Sequence, residues 1–379
     1  MQSKKIAIVG IVGVPANYGG FETLAENLVK YHQAASLNDS ITVYCSGKSY
    51  PAKIPTYLSA QLRYIPLNAN GAQSILYDII SLVSAVLHRS DVILLLGVSG
   101  AISLPLVRLL SPAKIITNID GIEWRREKWR GLSKHFLHLS EKIAVHFSHE
   151  VISDNGAIAE YVKRTYGVDS HLIAYGGDHA VVGDAEPIDE YGLPDNYAFS
   201  VCRIEPENNV HMVVEAFSKK PSQALVMVGN WNNSKYGRDI RKCYASHHNL
   251  YFLDSIYDLT KLNTLRKQAS FYVHGHSAGG TNPSLVEAMH FGKAVLAFDC
   301  DYNRSTTENK ALFFKDAPGL MRLIETTSIE VVDRVGLDML EIARRRYTWD
   351  IVAKQYFSLM IGTIVSFDDS SVIGGVTCP

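Results

Sequence analysis

Little in this 379-residue chain points to cross-linking or to metal binding. Its five cysteines, Cys45, Cys202, Cys243, Cys300 and Cys378, are odd in number, widely scattered and without a C-x-x-C pair. That argues for reduced thiols and against a zinc module. Charge of one sign is also lacking: 37 basic residues face 38 acidic ones, for a net charge of −1. Such a balance gives no global pull on nucleic acid. The longest uncharged run, VILLLGVSGAISLPLV from Val92 to Val107, is broken by Gly97, Gly100 and Pro105. It is short for a membrane span and reads as strand, loop and helix. The opening MQSKKIAIVGIVGV has no cleavage site and continues as a strand, so no signal peptide is expected. Solenoid repeats and low-complexity tracts are missing as well.

What is present is ordinary globular composition, 47% hydrophobic and 20% charged, in a chain long enough for two cores. Short β-rich runs alternate with helical patterns, as parallel α/β sheets require. In the first half the patterns predict strands at 6–11, 41–45, 92–96, 115–118 and 150–153, with helices at 21–32, 75–88, 103–110, 132–146 and 158–166. A second series predicts strands at 198–202, 224–228, 250–253, 270–274 and 294–298, with helices at 210–217, 259–266, 283–291 and 319–325. Between the series, residues 174–196 are rich in Gly, Asp and Pro and read as a connection. Two doubly wound sheets joined in this way leave a cleft at the carboxyl ends of their strands, where ligands bind.

Several stretches face that cleft. GIVGVPANYGGFETLAENLVKYH (Gly10–His32) is a strand, a loop ending in Tyr18, Gly19 and Gly20, and an amphipathic helix whose first amides can meet an anion or a hydroxyl. A tight strand–helix turn is the weaker alternative, and the stretch lacks the G-x-G-x-x-G spacing of dinucleotide folds. Arg203 closes a strand and can grip a diphosphate bidentately, or pair with Glu205 or Glu207 on the surface. In HSAGGTNPSLVEAMHFGKAVLAFD (His276–Asp299), Gly279 and Gly280 let backbone approach closely. Thr281 and Asn282 would then offer amides ahead of a helix begun by Pro283. Glu287 within that helix needs partners, and a sugar hydroxyl would supply them. Asp120 and Asp154 each follow a strand; Asp154 also reads as a helix cap. Glu123, Trp124, Arg125 and Arg126 open a basic, aromatic stretch suited to an anionic acceptor or a membrane interface, or to a plain solvated helix. Asp299 and Asp301 read as a strand-end turn rather than a metal site.

Taken together, these blocks resemble the family-4 glycosyltransferases of GT-B fold, and most clearly a bacterial rhamnosyltransferase-like subgroup. The resemblance rests on GIVGVPANYGGFETLAENLV, NIDGIEWRREKW, YGGD at the junction, GGTNPSLVEAMHFGKAVLA and the closing YTWDIVAKQYFSLM. It implies an α/β fold of two Rossmann-like domains facing across a cleft. Residues 1–175 would form the acceptor side, with a helix over 348–366 packing back on it, and residues 176–347 would bind the donor. Retaining transfer of a sugar from a nucleotide diphosphate without metal or cofactor is implied, most specifically L-rhamnose from dTDP-rhamnose to a lipid-linked glycan at the inner membrane surface. A UDP- or GDP-sugar hexosyl or N-acetylhexosaminyl transferase is the alternative, and a GT-B nucleotide-sugar epimerase a further one. Asp120, Asp154 and Tyr175 carry over as catalytic candidates. Gly19, Gly20, Arg203, Asn208, His276, Gly279, Gly280, Thr281, Asn282 and Glu287 fall on the donor side. Tyr18, Glu123, Trp124, Arg125 and Arg126 fall on the acceptor side. Three positions depart from the pattern: Gly279 stands where the family has its first glutamate, Asn208 where it has a lysine, and Val12 where the subgroup has arginine.

Overall fold

The computed structural model describes residues 3–362, apart from 17–18, 120, 126–130 and 184–185. Two sheets divide the chain. The first contains β1 (Lys5–Val9), β2 (Ser40–Ser46), β3 (Thr56–Tyr57), β4 (Ala60–Ile65), β5 (Val92–Leu96), β6 (Lys114–Asn118), β7 (Glu150–Ser153) and β8 (His171–Leu172). Their order is β3-β4-β2-β1-β5-β6-β7-β8, and only β3–β4 is antiparallel. The second contains β9 (Tyr197–Val201), β10 (Ala224–Val228), β11 (Leu250–Leu253), β12 (Phe271–His274), β13 (Ala294–Phe298) and β14 (Leu312–Phe314), ordered β11-β10-β9-β12-β13-β14 and wholly parallel. Both are doubly wound, as the alternation of short apolar runs and helices predicts, and the GT-B architecture follows.

The central strands are apolar on both faces because helices cover both: every residue of β5, VILLL, is buried. One face of the first sheet is closed by helices Ser74–Leu87, Leu104–Leu110, Leu132–Phe147 and Gly156–Tyr166, whose buried side chains share one cluster with Ala7, Ile93 and Ile115. The other face is closed by helix Gly20–Ala34 and by the last helix, Trp349–Ile361. That last helix runs back from the second sheet onto the first. Phe357 stacks on Tyr31 at 5.6 Å, the amide of Asn118 donates to the Tyr356 hydroxyl at 2.7 Å, and Lys114 Nζ donates to the Leu359 carbonyl at 2.9 Å. The cluster on this side is continuous with the core of the second sheet through Tyr175 and Trp349.

Candidate active site in the interdomain cleft

On the first domain's side the loop after β1 is shaped by glycine. Gly10 has φ +90°, and a Cβ there would lie 2.3 Å from the Leu96 carbonyl oxygen. Three further contacts fix the loop: the Val12 amide donates to Glu22 Oε1 at 2.8 Å, the Tyr77 hydroxyl to the Ile11 carbonyl at 2.8 Å, and the Tyr50 hydroxyl to the Pro15 carbonyl at 2.9 Å. Gly19, with φ +129°, then leads into the helix that starts at Gly20. A methyl on Gly20 would come within 3.7 Å of Pro283 and 3.9 Å of Tyr175, so this helix start faces the second domain's helix Pro283–Met289 across the cleft.

The junction block YGGD is packed into the same place. Tyr175 is buried, edge-on to Trp349 at 4.7 Å. Burial, and then the neighbouring Glu287, push its phenol well above the ordinary range, so it stays neutral. Its ring packs at the domain junction beside Gly20. Glu287 lies beside it, with protein partners on both carboxylate oxygens. The guanidinium of Arg266, 3% exposed, donates to one carboxylate oxygen, and His179 Nε2 lies 3.4 Å from the other. Burial alone would raise the Glu287 pKa; Arg266 and His179 outweigh it and hold the carboxyl below its usual value. His179 Nδ1 accepts from the indole N–H of Trp349 at 2.9 Å, which leaves the proton on Nε2, directed at Glu287. Neither Arg266 nor His179 is flagged by sequence reasoning. The signal available for His179 is its place directly after YGGD, and for Arg266 a lone cation inside a helix whose other inward residues are apolar or uncharged.

The carboxyl end of β7 reaches across the cleft. Asp154 Oδ2 accepts from the Thr281 amide at 3.0 Å, and the Asp154 carbonyl accepts from the Thr281 hydroxyl at 2.5 Å. The amide expected to be open to an anion is therefore held by Asp154, and a Cβ on Gly280 would sit 2.0 Å from that carboxylate. The helix cap expected of Asp154 is supplied by Asn155, whose Oδ1 accepts from Ala157 at 2.9 Å. The Asn155 amide group meanwhile donates at 3.1 Å to both the Tyr302 carbonyl and the Thr306 hydroxyl, tying β7 to the second domain. Asn282 caps its own helix through Ser284 at 3.1 Å.

On the second domain's side, Arg203 follows β9 with its side chain 41% exposed, 3.7 Å from Glu205. Asn208 is buried and donates to the Arg203 carbonyl at 2.7 Å. It braces the loop that carries Arg203. The amide and hydroxyl of Ser277 donate to the Glu207 carbonyl at 3.0 and 2.8 Å, so the arginine loop and the loop before the diglycine are tied together. His276 stacks at 4.2 Å on His274, which burial keeps neutral.

These elements enclose a pocket of about 230 Å³, with Gly121, Ile122 and Arg125 on one wall and Ser277, Ala278, Gly279 and Tyr302 on the other. At its edge the two domains touch: a Cβ on Gly121 would lie 3.4 Å from the Gly279 backbone. Arg125 is exposed and spread over the rings of Trp124 at 5.1 Å and Tyr161 at 4.9 Å. The indole of Trp124 is engaged with Glu141 and Tyr161, both at 3.3 Å, so it anchors the wall rather than standing free as an interface residue. Glu123 is half-buried in the same turn. Asp120, Tyr18 and Arg126 lie outside the described residues. Among the described residues no group of three or more His, Cys, Asp or Glu is arranged to hold a metal ion, and Asp299 is paired with Arg304 at 2.5 Å.

Residues 3–178 match a domain of unknown function (DUF1972), and residues 188–317 match glycosyl transferases group 1. No match was found among curated proteins. Among solved structures, sucrose-phosphate synthase from Thermosynechococcus elongatus is similar, with a TM-score of 0.78 and 16% identity over 94% of this chain and 98% of that one. A glycosyltransferase from Rickettsia africae aligns with a TM-score of 0.72 and 14% identity over 95% of this chain and 98% of that one. HepE of Anabaena, in complex with UDP and glucose, aligns with a TM-score of 0.70 and 14% identity over 95% and 100%. The chain thus has the GT-B fold, and residues 188–317, which span its second sheet, match the glycosyl transferases group 1 family.

Proposed function

We propose that the protein is a retaining glycosyltransferase that moves L-rhamnose from dTDP-rhamnose to a hydroxyl of a lipid-linked glycan, in surface polysaccharide synthesis at the inner face of the membrane. The observation that carries the reading is the pocket between residues 121–125 and 277–279, whose floor loop is tied to the Arg203 loop. The sugar and acceptor are narrowed by the subgroup resemblance of the YGGFET and DGIEWRREKW blocks.

Transfer requires the departing diphosphate to be stabilised more strongly in the transition state than in the ground state. Arg203 supplies a half-exposed guanidinium, and the Thr281 amide becomes a donor to phosphate once Asp154 releases it. The acceptor hydroxyl approaches on the face the leaving group vacates, and the leaving phosphate oxygen takes its proton. In this scheme Asp120 and Asp154 orient the acceptor or balance positive charge on the sugar, while Tyr175 acts through packing. Arg125 and Glu123 border the acceptor's approach. No metal has a role, so chelation should leave turnover unchanged.

A UDP-hexosyl reading has its own support, because HepE is described with UDP and glucose. A thermal-shift screen of dTDP, UDP and GDP sugars separates the two. At a hundredfold excess over its dissociation constant the true donor adds about 2.7 kcal/mol. Silence toward every donor would sink the proposal, as would wild-type transfer by both Asp120→Asn and Asp154→Asn enzymes. Turnover of donor without acceptor would indicate an epimerase instead.

A further inference from the structure

Three neighbouring helices on the first domain carry apolar side chains on their outward faces. In Ser74–Leu87 the buried residues are Tyr77, Asp78, Ser81, Leu82 and Ala85. The opposite side of that helix presents Leu76, Ile80, Val83 and Leu87, 38–75% exposed, at a spacing that makes one stripe. Leu104–Leu110 presents Leu106 at 55%, Leu109 at 81% and Leu110 at 64%. Leu132–Phe147 adds Leu132 at 88% and Leu139 at 50%. Scattered exposed leucines are ordinary on a protein surface, but adjacent stripes on consecutive helices are not.

Charge identifies the occupant. Within residues 74–90, 101–113 and 132–149 the acidic residues are Asp78 and Glu141, which are buried at 4% and 1%. The exposed charges in these segments are Arg89, Arg108, Lys134 and Lys142, all positive; at the strand starts that follow, Asp91 is exposed and Glu150 is paired with Lys114 and His171. A second copy of the chain packed on this face about a twofold axis would set these cations against one another. An anionic surface would pair them while taking up the leucines. Spanning is excluded for these helices: the longest has 16 residues, about 24 Å, and no described helix is long and apolar enough to cross a membrane. We propose that this three-helix face lies flat on an anionic lipid bilayer, its leucines in the interfacial layer and its cations against lipid phosphates.

The inference is compatible with a lipid-linked acceptor, but it is drawn from the surface alone and is testable without substrate. The full chain should float with phosphatidylcholine vesicles doped with phosphatidylglycerol, float less with phosphatidylcholine alone, and detach as salt is raised. Leu87→Asp/Leu109→Asp should weaken vesicle binding by roughly tenfold or more, and Arg108→Glu/Lys142→Glu should remove the preference for anionic lipid. Both variants alter exposed side chains, and an unchanged melting temperature would show them folded. Equal binding by all three proteins would overturn the proposal, as would no vesicle binding by the wild type. A wild-type dimer that Leu87→Asp/Leu109→Asp converts to monomer would overturn it in favour of self-association. Failure of the donor screen, by contrast, would leave the vesicle result intact.

Discussion

At the scale of single residues, two cations do different work. Arg203 is half-exposed and only loosely paired with Glu205, so its guanidinium can turn to an incoming diphosphate at little cost. A charge-assisted bond contributes about 1.5–3 kcal/mol net, so Arg203→Ala should lower kcat/KM by roughly ten- to a hundredfold. Steady-state kinetics will show it, with the melting temperature unchanged. Arg266 is the opposite case: buried, with Glu287 as its counter-charge. Removing that carboxylate in Glu287→Gln leaves an uncompensated buried cation and should destabilise by about 3–5 kcal/mol. The pH dependence follows from the same pair. The Glu287 carboxyl is held below its unfolded value, so its contribution is complete above the unfolded pKa and disappears as pH falls through the folded one. The acid limb of a stability profile measured by denaturant titration should therefore be shallower in Glu287→Gln than in wild type.

At the scale of elements, the junction is where backbone leaves no slack. A Cβ on Gly177 would lie 2.6 Å from the Val286 carbonyl carbon and 2.7 Å from the Glu287 amide nitrogen, and backbone on both sides cannot yield. Gly177→Ala should push helix Pro283–Met289 away from the junction. Hydrogen exchange across 281–289 should rise while the first sheet stays protected; unchanged exchange there would count against this packing. Much of this level is legible in the sequence, because strands such as VILLL and helices such as GFETLAENLVKYHQA carry strong periodicity. The parts not anticipated are weakly patterned. Strand β4, AQLRYI, mixes Gln and Arg into its run, and β14 is three residues long. Helix Lys235–Cys243 buries only Gly237 and Ile240, and helix Asp301–Thr306 only Asn303 and Thr306. Helix Ile329–Arg346 is long but highly charged, with a thin apolar stripe. At the site, strand ends and glycine pairs could be read in order. That Glu287 would meet Arg266, or Asp154 meet Thr281, depends on contacts between distant segments that no local pattern encodes.

At the scale of the whole molecule, the two sheets share a core on one side and a hydrogen-bonded seam on the other. Asn155 is one stitch of that seam beside the Asp154–Thr281 bonds, with its amide group given to Tyr302 and Thr306 of the second domain. Asn155→Ala removes those bonds and its helix cap together, at about 1–3 kcal/mol for the orphaned groups. The domains should then open more readily, seen as a larger radius of gyration in solution scattering and faster exchange at 302–306. An unchanged radius would place the closing force elsewhere, in the core around Tyr175 and Trp349.

The grip of Asp154 on the Thr281 amide has a consequence for which ligands gain entry. If the proposed donor binds there, its phosphate would have to displace a tethered rival rather than water, and a tethered rival keeps its local concentration however dilute the solution. Ligands bearing one negative charge gain little by the exchange, whereas a doubly charged diphosphate gains more than it displaces. On the proposed reading, the chain would thereby screen visitors by their valence before any sugar is read.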